Sequence, residues 1–194
     1  MTQGRAMAEG RFAISDTAID GLKVVSRRTM GDERGFLSRF FCADELREAG
    51  FADPIVQINH TLTRAVGSIR GMHFQRPPFA EDKFVSAMRG EVLDVAVDLR
   101  RGSPTFLHWH GERLSADNRH SLFIPKGFAH GFQALTPDCE LVYLHTQRYE
   151  PSAEGGLNPF DPRLAIDWPL PVADMSARDR EHPMITPDFT GIDA

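Results

Sequence analysis

The sequence predicts an all-β domain, a sandwich or jelly roll with few and short helices. Three observations predict it. Short apolar runs alternate with Gly, Pro, Asp and Ser punctuation at near-regular spacing. Several of these runs alternate apolar and polar residues with a period of two. Helical periodicity is brief wherever it occurs, which disfavours the alternating strand-helix pattern of a parallel sheet.

Each element follows in chain order. The start, MTQGRAMAEGRFAISD, lacks the apolar core of a secretion signal, and a cytoplasmic location is the expectation. CADELREAG (Cys42–Gly50) reads as about two helical turns closed by a glycine. In QINHTLT, Gln57, Asn59, Thr61 and Thr63 share one face and Ile58, His60 and Leu62 the other. That polar face is either the wet side of an outer strand or the lining of a barrel that holds a ligand. SIRGMHFQRPP (Ser68–Pro78) is a strand stopped by two prolines. KFVSAM places Lys83 on a face with Val85 and Ala87, and Arg89-Gly90 reads as a hairpin turn into the next strand. In LDVAVDLR, Leu93, Val95, Val97 and Leu99 share a face opposite Asp94, Asp98 and Arg100. SLFIP and ELVYLHT complete the central strands. From about Pro151 onward, proline, glycine and acidic residues predict a tail of loops and short helices wrapping the core.

The totals bound the function. A chain of 194 residues suits one domain, 1–194, large enough to bury a core without staples. Cys42 and Cys139 alone make neither a disulfide framework nor a cysteine zinc site. No apolar run approaches a membrane span. A net charge of −5 without a basic stripe argues against general nucleic-acid binding. An anionic ligand would rest on a few local cations.

His73 stands in a strand with Arg70 three residues before it and Lys83 soon after the prolines. A lone strand histidine is ordinarily a packed residue. Neighbouring cations add a second reading, a base beside groups that bind phosphate or a developing oxyanion. IPKGFAHGF carries a Pro-x-Gly-x-x-His turn that delivers His130 into a barrel mouth, as small barrels of the cupin superfamily do, often with the histidine on a metal. A metal-dependent cupin, using His73 and His130 or the His108–His110 pair of HWH, is therefore the alternative. Its weakness is the third ligand, since Glu112 follows His110 by only two residues. Tyr143 shares a face with Leu141 and His145, either as a hydrogen-bonded core residue or as a general acid. Asp179 matters only if the tail folds back onto His73.

Several segments together resemble the nucleotide-sugar 3,5-epimerases, the dTDP-4-dehydrorhamnose 3,5-epimerase family. They are DERGFLSRFF, QINHT, SIRGMHFQ, KFVSAMRGEVLDVAVDLRRGSPTF, LSADN, IPKGFAHGF, VYLHTQRYEP, DPRLAIDWP and MSARD, in the family's order over about residues 20–180. The resemblance implies a cupin-type jelly-roll β-barrel, a homodimer, no metal and no cofactor. It implies a nucleoside diphosphate 4-keto-6-deoxyhexose as substrate, with C3, C5 or both epimerised. By the same match His73 is the base, Asp179 the carboxylate that orients it, Lys83 the cation facing the C4 oxygen and Tyr143 the acid. Arg34, Gln57, Asn59, Arg70 and His130 fall on diphosphate- or sugar-binding positions. Leu37 and Arg39 stand where the family has Phe and Glu, and Arg148 where an aromatic residue often stacks on the base. NPFDP likewise replaces the usual Trp-Asn-Asp. These departures leave the nucleoside and the sugar open.

Overall fold

The structure, a computed structural model, describes residues 10–193. Residues 1–9, most of the stretch read above for a secretion signal, lie outside the described residues. Among the described residues thirteen strands form in chain order: β1 (Phe12–Asp16), β2 (Lys23–Arg27), β3 (Thr29–Asp32), β4 (Gly35–Ser38), β5 (Gln57–Thr63), β6 (Ile69–Gln75) and β7 (Lys83–Arg89). They continue as β8 (Glu91–Asp98), β9 (Trp109–Ser115), β10 (His120–Ile124), β11 (Phe128–Ala134), β12 (Cys139–His145) and β13 (Glu154–Gly156). Among the described residues helices are limited to α1 (Ala43–Leu46), a following 3₁₀ turn over Arg47–Ala49, and α2 (Ala177–Arg180). The predicted helix at 42–50 is thus one α turn and one 3₁₀ turn, closed by Gly50 at φ 99°.

Two antiparallel sheets stack as a jelly roll. One has the order β1-β2-β10-β7-β12-β5, the other β13-β6-β11-β8-β9, and β3-β4 forms a separate hairpin. Between the sheets lie Val85, Ala87, Val92, Ala96, Leu122, Phe132 and Leu141, all buried. The outer face of the five-stranded sheet is covered by the tail, where Leu157, Leu164, Ile185 and Ile192 pack on Met72, Phe74, Val95 and Val97. Phe12, Leu46 and Phe51 cover Phe84, Phe123 and Leu144 on the outer face of the other sheet. Both sheets are therefore apolar on both sides, and polar side chains inside them need partners.

Strand β8 shows this. Leu93, Val95, Val97 and Leu99 share a face, as predicted, and it packs under the tail, while Asp94 and Asp98 turn inward and are 0% exposed. Asp98 takes hydrogen bonds from Arg100 Nε and Nη2 (2.9 and 2.8 Å), Ser103 Oγ (2.6 Å) and Thr105 Oγ1 (2.7 Å). The Arg89-Gly90 turn is not a hairpin, which corrects the expectation. Strands β7 and β8 leave it into opposite sheets, so the turn carries the chain across the barrel. Gly90 has φ 71°, and a Cβ there would stand 2.5 Å from Thr136 Oγ1.

Candidate active site

At one end of the barrel the sheets enclose a cavity of about 220 Å³. Its lining includes Asn59, Arg70, His73, Lys83, His130 and Tyr143. Six of the ten residues singled out in the sequence thus meet there. Arg70 and His73 come from β6 and His130 from β11, in the five-stranded sheet. Asn59, Lys83 and Tyr143 come from β5, β7 and β12, in the opposite one. Period-two alternation turns Asn59, Lys83 and Tyr143 inward on their strands. On β6, Arg70 and His73 are three apart and reach the same side through a register irregularity opposite His130 and Phe132.

The histidine is held by the tail. His73 Nε2 lies 2.8 Å from Asp179 Oδ1, and the Gly71 amide donates to Asp179 Oδ2 at 3.2 Å. Asp179 sits in α2, whose Ser176 cap accepts from the Asp179 amide at 3.0 Å. Burial alone would raise the Asp179 carboxyl. The hydrogen bond and charge of His73, the Gly71 amide and Ser176 outweigh it and hold the group below the ordinary carboxylate range. A second depression of about 690 Å³, which includes Ser176, Arg178 and Asp179, shares Arg70 and His73 with the cavity.

On the facing wall Tyr143 is 8% exposed. Burial pushes its phenol up, and the nearby Asp94 carboxylate adds to that, so the group stays protonated at neutral pH. Lys83 is 7% exposed, its Nζ 3.1 Å from Glu81 Oε1 and 3.5 Å from the His73 carbonyl oxygen. Glu81 also meets His145 Nδ1 at 3.2 Å and Gln75 Nε2 at 3.1 Å. His130 Nε2 is 2.7 Å from Asp94 Oδ1, and its ring meets Tyr143 edge-on at 5.8 Å.

The remaining candidates lie at or beyond the rim. Gln57 bonds Asn59 Oδ1 at 3.1 Å and accepts from the Tyr149 amide at 3.0 Å, outside the lining itself. Arg148 is exposed, its guanidinium 5.6 Å from the Phe79 ring centre. Arg34 is not brought to the cavity: it sits on the β3-β4 hairpin, paired with Asp32 through Nε at 3.1 Å. Arg39 pairs with Glu45 of α1. The alternative metal sets do not assemble either. His130 is turned to Asp94, and His110 faces Glu112 at 3.6 Å while His108 is exposed ahead of β9. Among the described residues the cluster able to hold an ion is His73, Asp179 and His182.

Sequence reasoning missed Glu81, Asp94, Tyr149 and His182. Asp94 carried a weak signal, an acid between Leu93 and Val95 on the face it shares with Val92 and Ala96. Tyr149 follows Arg148 directly, so its aromatic ring stood next to the position examined. Glu81 and His182 lie in loops without periodicity and carried none.

The sequence pattern of the dTDP-4-dehydrorhamnose 3,5-epimerase family matches residues 16–186. The chain is 45% identical over 177 residues to the dTDP-4-dehydrorhamnose 3,5-epimerase of Pseudomonas aeruginosa, covering 90% of this chain and 94% of that one. It is 42% identical over 177 residues to the enzyme of the same name from Methanothermobacter thermautotrophicus, with the same coverage of 90% and 94%. Among solved structures, a dTDP-6-deoxy-D-glucose-3,5-epimerase from Legionella pneumophila, in complex with dTDP-4-keto-L-rhamnose, superposes with a TM-score of 0.85. It is 42% identical, over 89% of this chain and 92% of that chain.

Proposed function

We infer, because the chain belongs to the dTDP-4-dehydrorhamnose 3,5-epimerase family, that it inverts C3, C5 or both in a nucleoside diphosphate 4-keto-6-deoxyhexose. The family favours this over a metal-dependent cupin dioxygenase or isomerase. One observation carries the reading. A histidine held by a buried carboxylate and a buried, protonated tyrosine stand on opposite sheets across one cavity. Inversion needs that arrangement, since the proton must leave one face of the carbon and return to the other.

The steps follow from the substrate's own ketone, which acidifies its neighbouring carbons and accepts the electron pair. His73 takes the proton from C5 or C3, and the C–H electrons move into an enolate whose charge rests on the C4 oxygen. Lys83 is the cation set against that oxygen. Tyr143 gives its proton to the opposite face, the C–H bond re-forms, and solvent restores both side chains. Asp179 orients His73 and balances its imidazolium. No redox cofactor enters the electron count. Arg70, Asn59 and His130 are assigned to sugar and diphosphate, with Gln57 beside them and Arg148 at the rim for the base.

A homodimer is part of the proposal. Strand β5 is a sheet edge that turns its polar face to the cavity and leaves Val56, Ile58 and Leu62 exposed at 54, 62 and 39%. An apolar outer face of that kind fits a second copy. Within one protomer Arg34 stays off the cavity, so its assignment to phosphate requires the second copy to bring it there. Among the described residues no helix is long and apolar enough to cross a membrane. The cytoplasmic setting expected from the sequence is carried over as part of the proposal.

The test is solvent-deuterium incorporation, followed by NMR, with dTDP-, CDP- and GDP-linked 4-keto-6-deoxyhexoses. Exchange at C3 or C5 is expected with at least one of them, abolished in a folded His73→Ala variant. No exchange across the panel refutes the function.

A further inference from the structure

The tail brings a second histidine to the dyad that the proposed reaction does not use. His182 stands just beyond α2, with Nε2 3.8 Å from Asp179 Oδ1. Its ring meets that of His73 edge-on, the centres 5.5 Å apart. The side chain is only 14% exposed, and Nε2 is buried without a hydrogen-bond partner among the described residues. A buried ring nitrogen in that state is free to take a partner, a water or an ion. The place it occupies is shaped for it. Gly156 of β13 pairs with His73, and a Cβ on that glycine would stand 2.1 to 2.4 Å from the His182 ring atoms. The ligand-capable atoms of His73, Asp179 and His182 all lie within 4.8 Å of one another.

We propose that His73, Asp179 and His182 form an inhibitory site for a divalent cation of the zinc class. Two imidazoles and one carboxylate are a donor set that such an ion takes, with water in the fourth tetrahedral position. The depression bordered by Asp179 and His73 gives it a way in from solvent. The ion occupies the place now held by the His73–Asp179 hydrogen bond. Coordination requires His73 Nε2 without its proton, and the neutral ring then carries that proton on Nδ1. Both ring nitrogens are then engaged and none can accept a proton from substrate. The Asp179 carboxylate offsets one of the two positive charges. No substrate bond is made or broken by the ion, and its effect is to remove the base.

Untagged protein, first freed of metal with a chelator, is titrated with CoCl₂ and followed by visible absorption, and separately with ZnCl₂ by calorimetry. One ion per chain is expected, with the intense bands of tetrahedral cobalt, and zinc is expected to suppress deuterium exchange. His182→Gln removes a direct ligand, so its cobalt affinity falls by more than about tenfold, the lower range for loss of an outer-shell partner. The zinc concentration that halves exchange rises by the same factor. Gly156→Ala, which displaces the ring, gives the same loss should His182→Gln fail to fold. Wild-type protein that takes up no cobalt, or folded variants with unchanged affinity, overturn the site. Because cobalt uptake is read without substrate, failure of the epimerase reading leaves this test standing.

Discussion

Replacing Lys83 with methionine separates two tasks that the fold gives to one ammonium group. The first is charge balance. Lys83 lies 3.1 Å from Glu81, and the two side chains are each 8% exposed. Methionine keeps most of the volume and leaves the carboxylate without its cation. Breaking a buried ion pair costs about 3–5 kcal/mol. Glu81 retains His145 and Gln75 within 3.2 Å, which brings the figure down to about 2–3 kcal/mol. For a chain of this size that lowers the melting temperature by roughly 4–12 °C. The second task, in the proposed reaction, is stabilising the enolate, and losing one such donor slows such a reaction about 10²–10³-fold. Adding Glu81→Gln removes the stranded charge. The double variant should regain most of the stability, read by urea or thermal unfolding, and none of the exchange rate, read by NMR in deuterated solvent. Recovery of exchange together with stability would refute the assignment, because Lys83 would then serve only to neutralise Glu81.

Tyr143→Phe should keep deuterium exchange from the His73 side while inversion falls about 10²–10⁴-fold; loss of exchange and inversion in equal measure removes Tyr143 as the acid. Asp98 reports on acid stability. Burial opposes its ionisation, yet Arg100, Ser103 and Thr105 lower its carboxyl from 3.8 to about 2. A depressed folded-state value means stability that is full above pH ~4 and is lost as pH falls toward 2, about 2 kcal/mol at roughly 1.4 kcal/mol per unit. Asp98→Asn should therefore be destabilised at pH 7 by urea unfolding, with the gap to wild type narrowing below pH 4; a gap independent of pH counts against it. Ile58→Lys should convert a dimer to a monomer in sedimentation velocity, and a wild-type chain already monomeric at the same concentration removes β5 as the interface.

The inward set of the barrel was legible because period-two patterning reports which side chains share a face. It found Lys83 with Val85 and Ala87, Tyr143 with Leu141 and His145, and the polar face of β5. On β8 patterning turns the Asp94–Asp98 face outward, but the tail covers the Leu93–Leu99 face, so the inward turn of those acids was not read. Nor does a turn residue say where the next strand goes. Gly90 fixes φ, but the partners of β7 and β8 are set by contacts with β10, β12, β11 and β9 far along the chain. The Asp179 contact spans 106 residues and was reached through family likeness rather than spacing. Arg34 shows the limit of that route, since a matched position on an exposed hairpin is not placed in the cavity of its own protomer.

The proposed base is assembled from two parts of the chain that are not equally anchored. His73 belongs to a strand flanked on both sides by others, whereas Asp179 belongs to a four-residue helix in the tail, fastened by loop hydrogen bonds and by apolar side chains such as Ile185. Gln133 clasps Leu170 at 2.8 and 3.0 Å, and Asn158 Nδ2 donates to the Arg180 and His182 carbonyls at 3.2 and 3.4 Å. Segments held in this way open at lower free energy than the strands beneath them. Exchange activity is therefore expected to fail on heating below the temperature at which the barrel itself melts, as activity and circular dichroism read on one sample would show.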